Sequence, residues 1–253
     1  MPWFLATCLV FFGLLGAPAT LAAEIRVLSA GAFKPVLEAL VPAYEKRTGN
    51  AVVVVNDTVG ALVRRIEAGE AFDVAVLTPE AVARLGKAGK VVPGAVPLAR
   101  VGIGVAVREG AAVPKIDTTA AFKQALLDAR AVALVDPASG GSSGIYLAHL
   151  FERLGIADRI MPKAVLVPGG LVATRVLSGE ADLALHQISE ILAVPGTHLA
   201  GPIPAALQQY TAYVGITGAA ARDQGTATAF LQDLTGEDAA RVLKQKGMDP
   251  PDH

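Results

Sequence analysis

Two stretches of this chain, far apart in sequence, repeat one another. Gly60-Ala-Leu-Val-Arg-Arg-Ile-Glu-Ala-Gly69-Glu-Ala-Phe-Asp73-Val-Ala-Val-Leu aligns with Gly170-Leu-Val-Ala-Thr-Arg-Val-Leu-Ser-Gly179-Glu-Ala-Asp182-Leu-Ala-Leu, with Phe72 extra in the first copy. Each copy runs glycine, helical segment, Gly-Glu-Ala, aspartate, apolar strand. Any two αβ units share part of this pattern, because glycine after a helix is a common C-cap. The run of identical positions points instead to related units, one in each of two α/β lobes. Two such lobes leave a cleft between them, where ligands sit at the C-terminal strand edges.

The rest of the chain fits that plan. Short β-branched runs at 25–28, 51–55 and 73–77 alternate with amphipathic helical patterns at 34–46, 62–68 and 79–88. This βαβαβ order predicts an open, mostly parallel sheet with helices on both faces. A second set follows, with strands at 101–107, 131–135, 164–167 and 182–185 and helices at 118–129, 145–154 and 171–177. The Pro/Gly-rich 195–204 reads as a loop, 210–217 as a strand, and two helices close the chain. The expected organisation is a first lobe over 24–99, a second over 100–209, and a return to the first over 210–253.

Residues 1–23 carry no charged side chain. An apolar run from Trp3 to Ala17 precedes Pro18 and the small residues 19–23, the layout of a cleavable secretory signal peptide. The run is shorter than the ~20 residues that span a bilayer. The only cysteine, Cys8, lies inside it, so the mature chain is expected to lack thiols and to tolerate an oxidising compartment, the periplasm. With 22 basic and 23 acidic residues and 5% aromatics, there is no basic field or stacking platform for nucleic acid.

Four turns are rich in glycine and hydroxyls: 29–34, 56–60, 139–144 and 168–170. Where a strand turns into a helix, such residues bring backbone N–H groups close to a ligand, and helix N-termini favour anions. The candidate ligand-binding residues are therefore Gly31, Ala32, Lys34, Thr58, Gly60, Ser142, Ser143, Gly170 and His186. Lys34 has two readings, a counter-charge for a bound carboxylate or a solvent-facing lysine. His186 ends the strand of the second repeat and faces the expected cleft, as a neutral hydrogen-bonding group or as an acid/base. His149, His198 and His253 form no metal-ligand spacing with it, so neither metal nor cofactor is called for. Gly140-Gly-Ser142-Ser-Gly144 has the form of a nucleophile elbow, but residues 136–141 separate it from its strand, and an anion cradle fits better.

Over nearly the whole mature length the chain resembles periplasmic molybdate-binding proteins of ABC transporters. The resemblance rests on Val27-Leu-Ser-Ala-Gly-Ala, Leu62-Val-Arg-Arg-Ile-Glu-Ala-Gly69 with Asp73-Val-Ala-Val, Ser143-Gly-Ile-Tyr146, Gly179-Glu-Ala, and the ending from Phe230 to Met248. It implies the two-lobed type II periplasmic binding protein fold, each lobe a mainly parallel sheet flanked by helices and joined by hinge strands. It also implies a monomer that captures a small anionic ligand and delivers it to an ABC permease of the inner membrane. Family pockets use serine hydroxyls and a tyrosine. Here Ala32, Gly60 (with Thr58 nearby) and His186 stand at those positions, and Lys34 is added. These departures turn the expectation from molybdate towards carboxylates. A second resemblance, to bacterial aconitate isomerase, gives the alternative function: His186 exchanging a proton, with Lys34, Arg175 or Arg65 clamping carboxylates.

Overall fold

The computed structural model describes residues 23–251. The apolar leader lies outside the described residues except for Ala23, as do Cys8 and His253. Ten strands form two sheets: β1 (Glu24–Ala30), β2 (Ala51–Asp57), β3 (Val74–Leu77), β4 (Val96–Val101), β5 (Ile103–Arg108), β6 (Val132–Val135), β7 (Ala164–Val167), β8 (Leu183–Gln187), β9 (Thr197–Pro202) and β10 (Thr211–Thr217). The first sheet runs β2-β1-β3-β10-β4 and the second β7-β6-β8-β5-β9. In each, four strands run in one direction and one, β10 or β5, runs against them, and the order is the same once β1, β2, β3, β10 and β4 are matched to β6, β7, β8, β5 and β9.

Helices cover both faces of each sheet. They are α1 (Lys34–Thr48), α2 (Val59–Glu67), α3 (Pro79–Lys87), α4 (Thr119–Asp128), α5 (Ser142–Arg153), α6 (Ala157–Ile160), α7 (Thr174–Leu177), α8 (Ile188–Leu192), α9 (Gln224–Asp233) and α10 (Glu237–Gln245). Strand alternation sets the faces. Val27 packs with Leu37 of α1 and Phe230 of α9, whereas Leu28 packs with Leu62 of α2 and Leu85 of α3. In the second lobe Leu134 joins Phe122 and Phe151, and Ala133 joins Val176 and Ile191. Fully burying a Leu or Phe side chain stabilises by about 1.5–3 kcal/mol.

The duplicated sequence is a duplicated set of contacts. Asp73 accepts a hydrogen bond from the Arg26 backbone N–H (2.8 Å), and Asp182 accepts one from that of Arg130 (2.6 Å). Arg65 pairs with Glu70, and Arg175 with Glu180. In both lobes the aspartate before the central strand therefore anchors the neighbouring parallel strand.

Two expectations fail at the crossing between lobes. The run 101–107 is not one strand: the chain breaks at Gly102, β4 pairing with β10 and β5 with β8 and β9. A Cβ on Gly102 would lie 3.0 Å from the Gln208 amide, so only glycine passes there without displacing it. Gln208 itself accepts from the Ile103 N–H and donates to its carbonyl, both at 2.8 Å, tying the outgoing and returning segments together. Residues 195–204 are not all loop, since Thr197–Pro202 forms edge strand β9. An edge position with a register shift tolerates Gly201 and Pro202. Among the described residues no helix is long and apolar enough to cross a membrane.

Candidate functional site

The C-terminal ends of the central strands converge on a small cavity between the lobes. Its lining includes Gly31, Ala32, Thr58, Ser143, Gly170 and His186, six positions singled out in the sequence, together with Asp57, Gln187, Glu190 and Tyr213. The cavity volume is about 40 Å³.

Each remaining sequence candidate has a specific place. Lys34 does not line the cavity. A 3-10 turn at Gly31–Phe33 precedes α1, so Gly31 and Ala32 meet the cavity while Lys34 pairs with Glu38 at 3.3 Å on the outer side. Gly60 serves the lobe–lobe contact: its N–H donates to the Gly140 carbonyl at 3.1 Å. Thr58 caps α2 by accepting from Ala61 N–H and donates its hydroxyl to the Ser139 carbonyl at 2.7 Å. Arg64 donates to the same oxygen. A Cβ on Gly60 would stand 2.7 Å from Gly140 Cα, so the lobes meet backbone to backbone. Ser142, first residue of α5, does not line the cavity and lies beside the Tyr213 hydroxyl.

The groups missed in the sequence include Glu190 and Tyr213. His186 Nε2 lies 3.2 Å from Glu190 Oε2, and both side chains are buried. Glu190 reaches the first lobe as well, since a Cβ on Gly31 would fall 2.6 Å from its Oε1. Burial pushes the Glu190 carboxyl up to about 8 and the His186 imidazole down to about 3. Near neutral pH the pair is thus two neutral groups, an acid and a base in contact. His186 Nδ1 is buried without a protein partner, which costs about 1–3 kcal/mol unless a ligand supplies one. The sequence signal for Glu190 was its place four residues after His186, across the strand-to-helix turn. Tyr213 was visible only as the polar-tipped aromatic of an otherwise apolar strand.

No Lys or Arg lines the cavity; the charged types there are Asp57, His186 and Glu190. Arg65, read as a clamp, lies behind Asp57 at 3.4 Å and pairs chiefly with Glu70, and Arg175 pairs with Glu180. Anionic ligand groups must therefore be met by neutral donors. Helix α5 is one source, because its N-cap Gly141 has no capping side chain and its first N–H groups point out of the helix. Among the described residues no group of three or more His, Cys, Asp or Glu could hold a metal ion.

Two similar α/β lobes, hinged by paired crossings and closed over a polar cavity, define a two-lobed solute-binding protein of type II architecture. Residues 25–249 match the family of bacterial extracellular solute-binding proteins, to which the chain belongs. It is 36% identical over 248 residues to an aconitate isomerase from a Pseudomonas species, covering 94% of this chain and 93% of that protein. Its fold is similar to a periplasmic molybdate-binding protein of Azotobacter vinelandii, with a TM-score of 0.77, 22% identity, and 90% and 100% of the two chains covered. A sulfate-binding protein of Mycobacterium tuberculosis is similar at a TM-score of 0.71 and 20% identity, covering 90% of this chain and 87% of that one.

Proposed function

We propose that this chain is an exported aconitate isomerase, moving a double bond by a 1,3-proton shift within the cleft. The observation that carries the reading is the buried His186–Glu190 pair, 3.2 Å apart on the cavity wall. The 36% identity to an aconitate isomerase along almost the whole chain supports the choice of substrate. In the reaction, a C–H bond of the substrate methylene breaks and the proton passes to the pair. The electron pair delocalises over the allylic carbons and an adjacent carboxylate. A proton then returns to the far allylic carbon, and the double bond has moved by one position. No electrons are gained or lost, so the chemistry asks only for an acid/base and for donors to the carboxylates. With Nε2 facing Glu190 at 3.2 Å and Nδ1 buried without a partner, Nδ1 is the imidazole nitrogen left for the substrate.

A cavity of about 40 Å³ holds only a few water molecules, so a tricarboxylate enters and leaves by parting the Gly60–Gly140 contact. Export to the periplasm is part of the same proposal and rests on the apolar segment from Trp3 to Ala17. The test is to incubate the purified protein with trans-aconitate and follow cis-aconitate by proton NMR. Conversion by the wild type and its loss in His186→Ala is the expected result; a wild type that converts nothing sinks the proposal.

The second reading, capture of an anion for an ABC permease without chemistry, is favoured by the family and by the fold shared with the molybdate-binding protein. Against a tetrahedral dianion stand the Asp57 and Glu190 carboxyl side chains on the cavity wall. Under this reading molybdate, tungstate or sulfate would raise the melting temperature. A ligand at 100 times its Kd adds about 2.7 kcal/mol.

A further inference from the structure

Tyr213 is a polar group of the cavity to which the scheme above gives no part. Its ring belongs to the core of the first lobe, in the cluster with Ala30, Ala32 and Phe33, and it is 3% exposed. Its hydroxyl lies beside Ser142, which starts α5 in the second lobe. The side chain therefore crosses between the lobes, and this neighbour moves away whenever they separate. The β10 strand shifts register between Tyr213 and Val214, a bulge of the kind that re-aims side chains next to functional sites.

The chemistry leaves a need that this hydroxyl meets. As the substrate C–H bond breaks, negative charge grows on an adjacent carboxylate, and no Lys or Arg lines the cavity to receive it. Burial, reinforced by the nearby Glu190 carboxyl, holds the phenol well above its usual range despite the opposing effect of Ser142, so the hydroxyl keeps its proton. A fixed, neutral O–H in a water-poor cleft is the type of donor that stabilises developing charge most effectively.

We propose that Tyr213 is a catalytic hydrogen-bond donor of the isomerase site, donating to the substrate carboxylate that gains charge, with Ser142 as the positioning residue that holds the hydroxyl when the lobes close. The proposal rests on the isomerase reading. It adds to that reading a closure-dependent donor contributed by the first lobe, facing an acid/base pair contributed by the second.

The test compares the full-length wild type with Tyr213→Phe, Ser142→Ala and the double variant, measuring kcat and KM for trans-aconitate and the melting temperature. Tyr213→Phe keeps the buried ring, and its kcat is expected to fall by about 100-fold with KM changed less than about threefold. Ser142→Ala is expected to lower kcat about tenfold. The double variant should be no worse than Tyr213→Phe, because Ser142 acts only through the hydroxyl already removed. Wild-type turnover with kcat of Tyr213→Phe within about twofold of it overturns this proposal alone, as does a double variant whose loss is the product of the two single losses. Should Tyr213→Phe melt too early to assay, Ser142→Ala decides: an unchanged kcat overturns the proposal. Absence of wild-type turnover overturns the isomerase reading and this inference with it.

Discussion

His186 Nε2 and Glu190 Oε2 lie 3.2 Å apart inside the protein, one on β8 and the other on α8, a single turn further along the chain. Their stability linkages have opposite signs. The folded state raises Glu190 from its usual 4.5 to about 8, so it binds that proton more tightly than the unfolded chain, and stability falls as pH rises across this interval. It lowers His186 from its usual 6.5 to about 3, so stability falls as pH drops below 6.5. Between 4.5 and 6.5 the two slopes oppose one another. Above 6.5 Glu190 acts alone, at up to about 1.4 kcal/mol per pH unit for one proton. Glu190→Gln should therefore flatten the melting temperature between pH 6.5 and 8, where the wild type declines. Equal slopes in the two proteins would contradict a protonated Glu190.

Closure depends on two glycines facing each other. A Cβ on Gly60 would approach Gly140 Cα to 2.7 Å, and neither backbone can yield while the Gly60 N–H to Gly140 carbonyl bond is kept. Within α2 itself, replacing glycine by alanine favours the helix by up to about 1 kcal/mol. Gly60→Ala should thus leave the melting temperature unchanged or raised while enlarging the radius of gyration in X-ray scattering and weakening ligand binding. Scattering identical to the wild type would show that closure does not pass through this contact. Gly140→Ala is the less informative variant, since φ at Gly140 is +84° and strain would be added to the steric effect.

What was legible in the sequence is what local pattern encodes. The duplicated Gly-Glu-Ala-Asp stretch foretold paired lobes because Asp73 and Asp182 do the same backbone work in each. The glycine-rich turns foretold where the cavity lies, since Gly31, Thr58, Ser143, Gly170 and His186 share its wall. The break at Gly102 was hidden because the chain is apolar on both sides of it, and only pairing partners distinguish β4 from β5. Glu190 was hidden because a glutamate in a short helix reads as solvated until the first lobe, at Gly31, packs over it. Lys34 carried two readings for a related reason: only the 3-10 turn before α1 fixes its place, where it pairs with Glu38. The use of Gly60 for a lobe–lobe bond is likewise a property of the closed pair of lobes, which no single segment carries.

Gln208 ties together the crossing between lobes. Gln208 satisfies both backbone groups of Ile103, a residue 1% exposed, through two hydrogen bonds of 2.8 Å. Gln208→Ala strands the buried Ile103 N–H at a cost of about 1–3 kcal/mol, whereas the Ile103 carbonyl keeps its bond from the Ile203 N–H. Urea denaturation should show a loss of that order. A loss under about 0.5 kcal/mol would mean that water replaces the amide at no cost, and that the crossing is open to solvent.

The equivalent repeat aspartates should differ sharply in what they contribute. Asp73 is 4% exposed and accepts bonds from the N–H groups of Arg26 and Arg222 and from the Arg222 guanidinium. Burial alone would raise its carboxyl, but the Arg222 and backbone hydrogen bonds outweigh that and hold it below the usual 3.8. Its stabilisation is thus fully present above pH 3.8 and is lost as acid protonates the folded-state carboxylate. Asp182 makes the matching bonds to Arg130 with its side chain 41% exposed, where water replaces a lost partner. Asp73→Ala should destabilise by about 2–4 kcal/mol, because it orphans buried donors, and Asp182→Ala by about 1 kcal/mol or less. Chemical denaturation of both variants at pH 7 measures the difference directly. Equal losses would mean that burial does not distinguish the two anchors and that the backbone bond they share carries the whole effect.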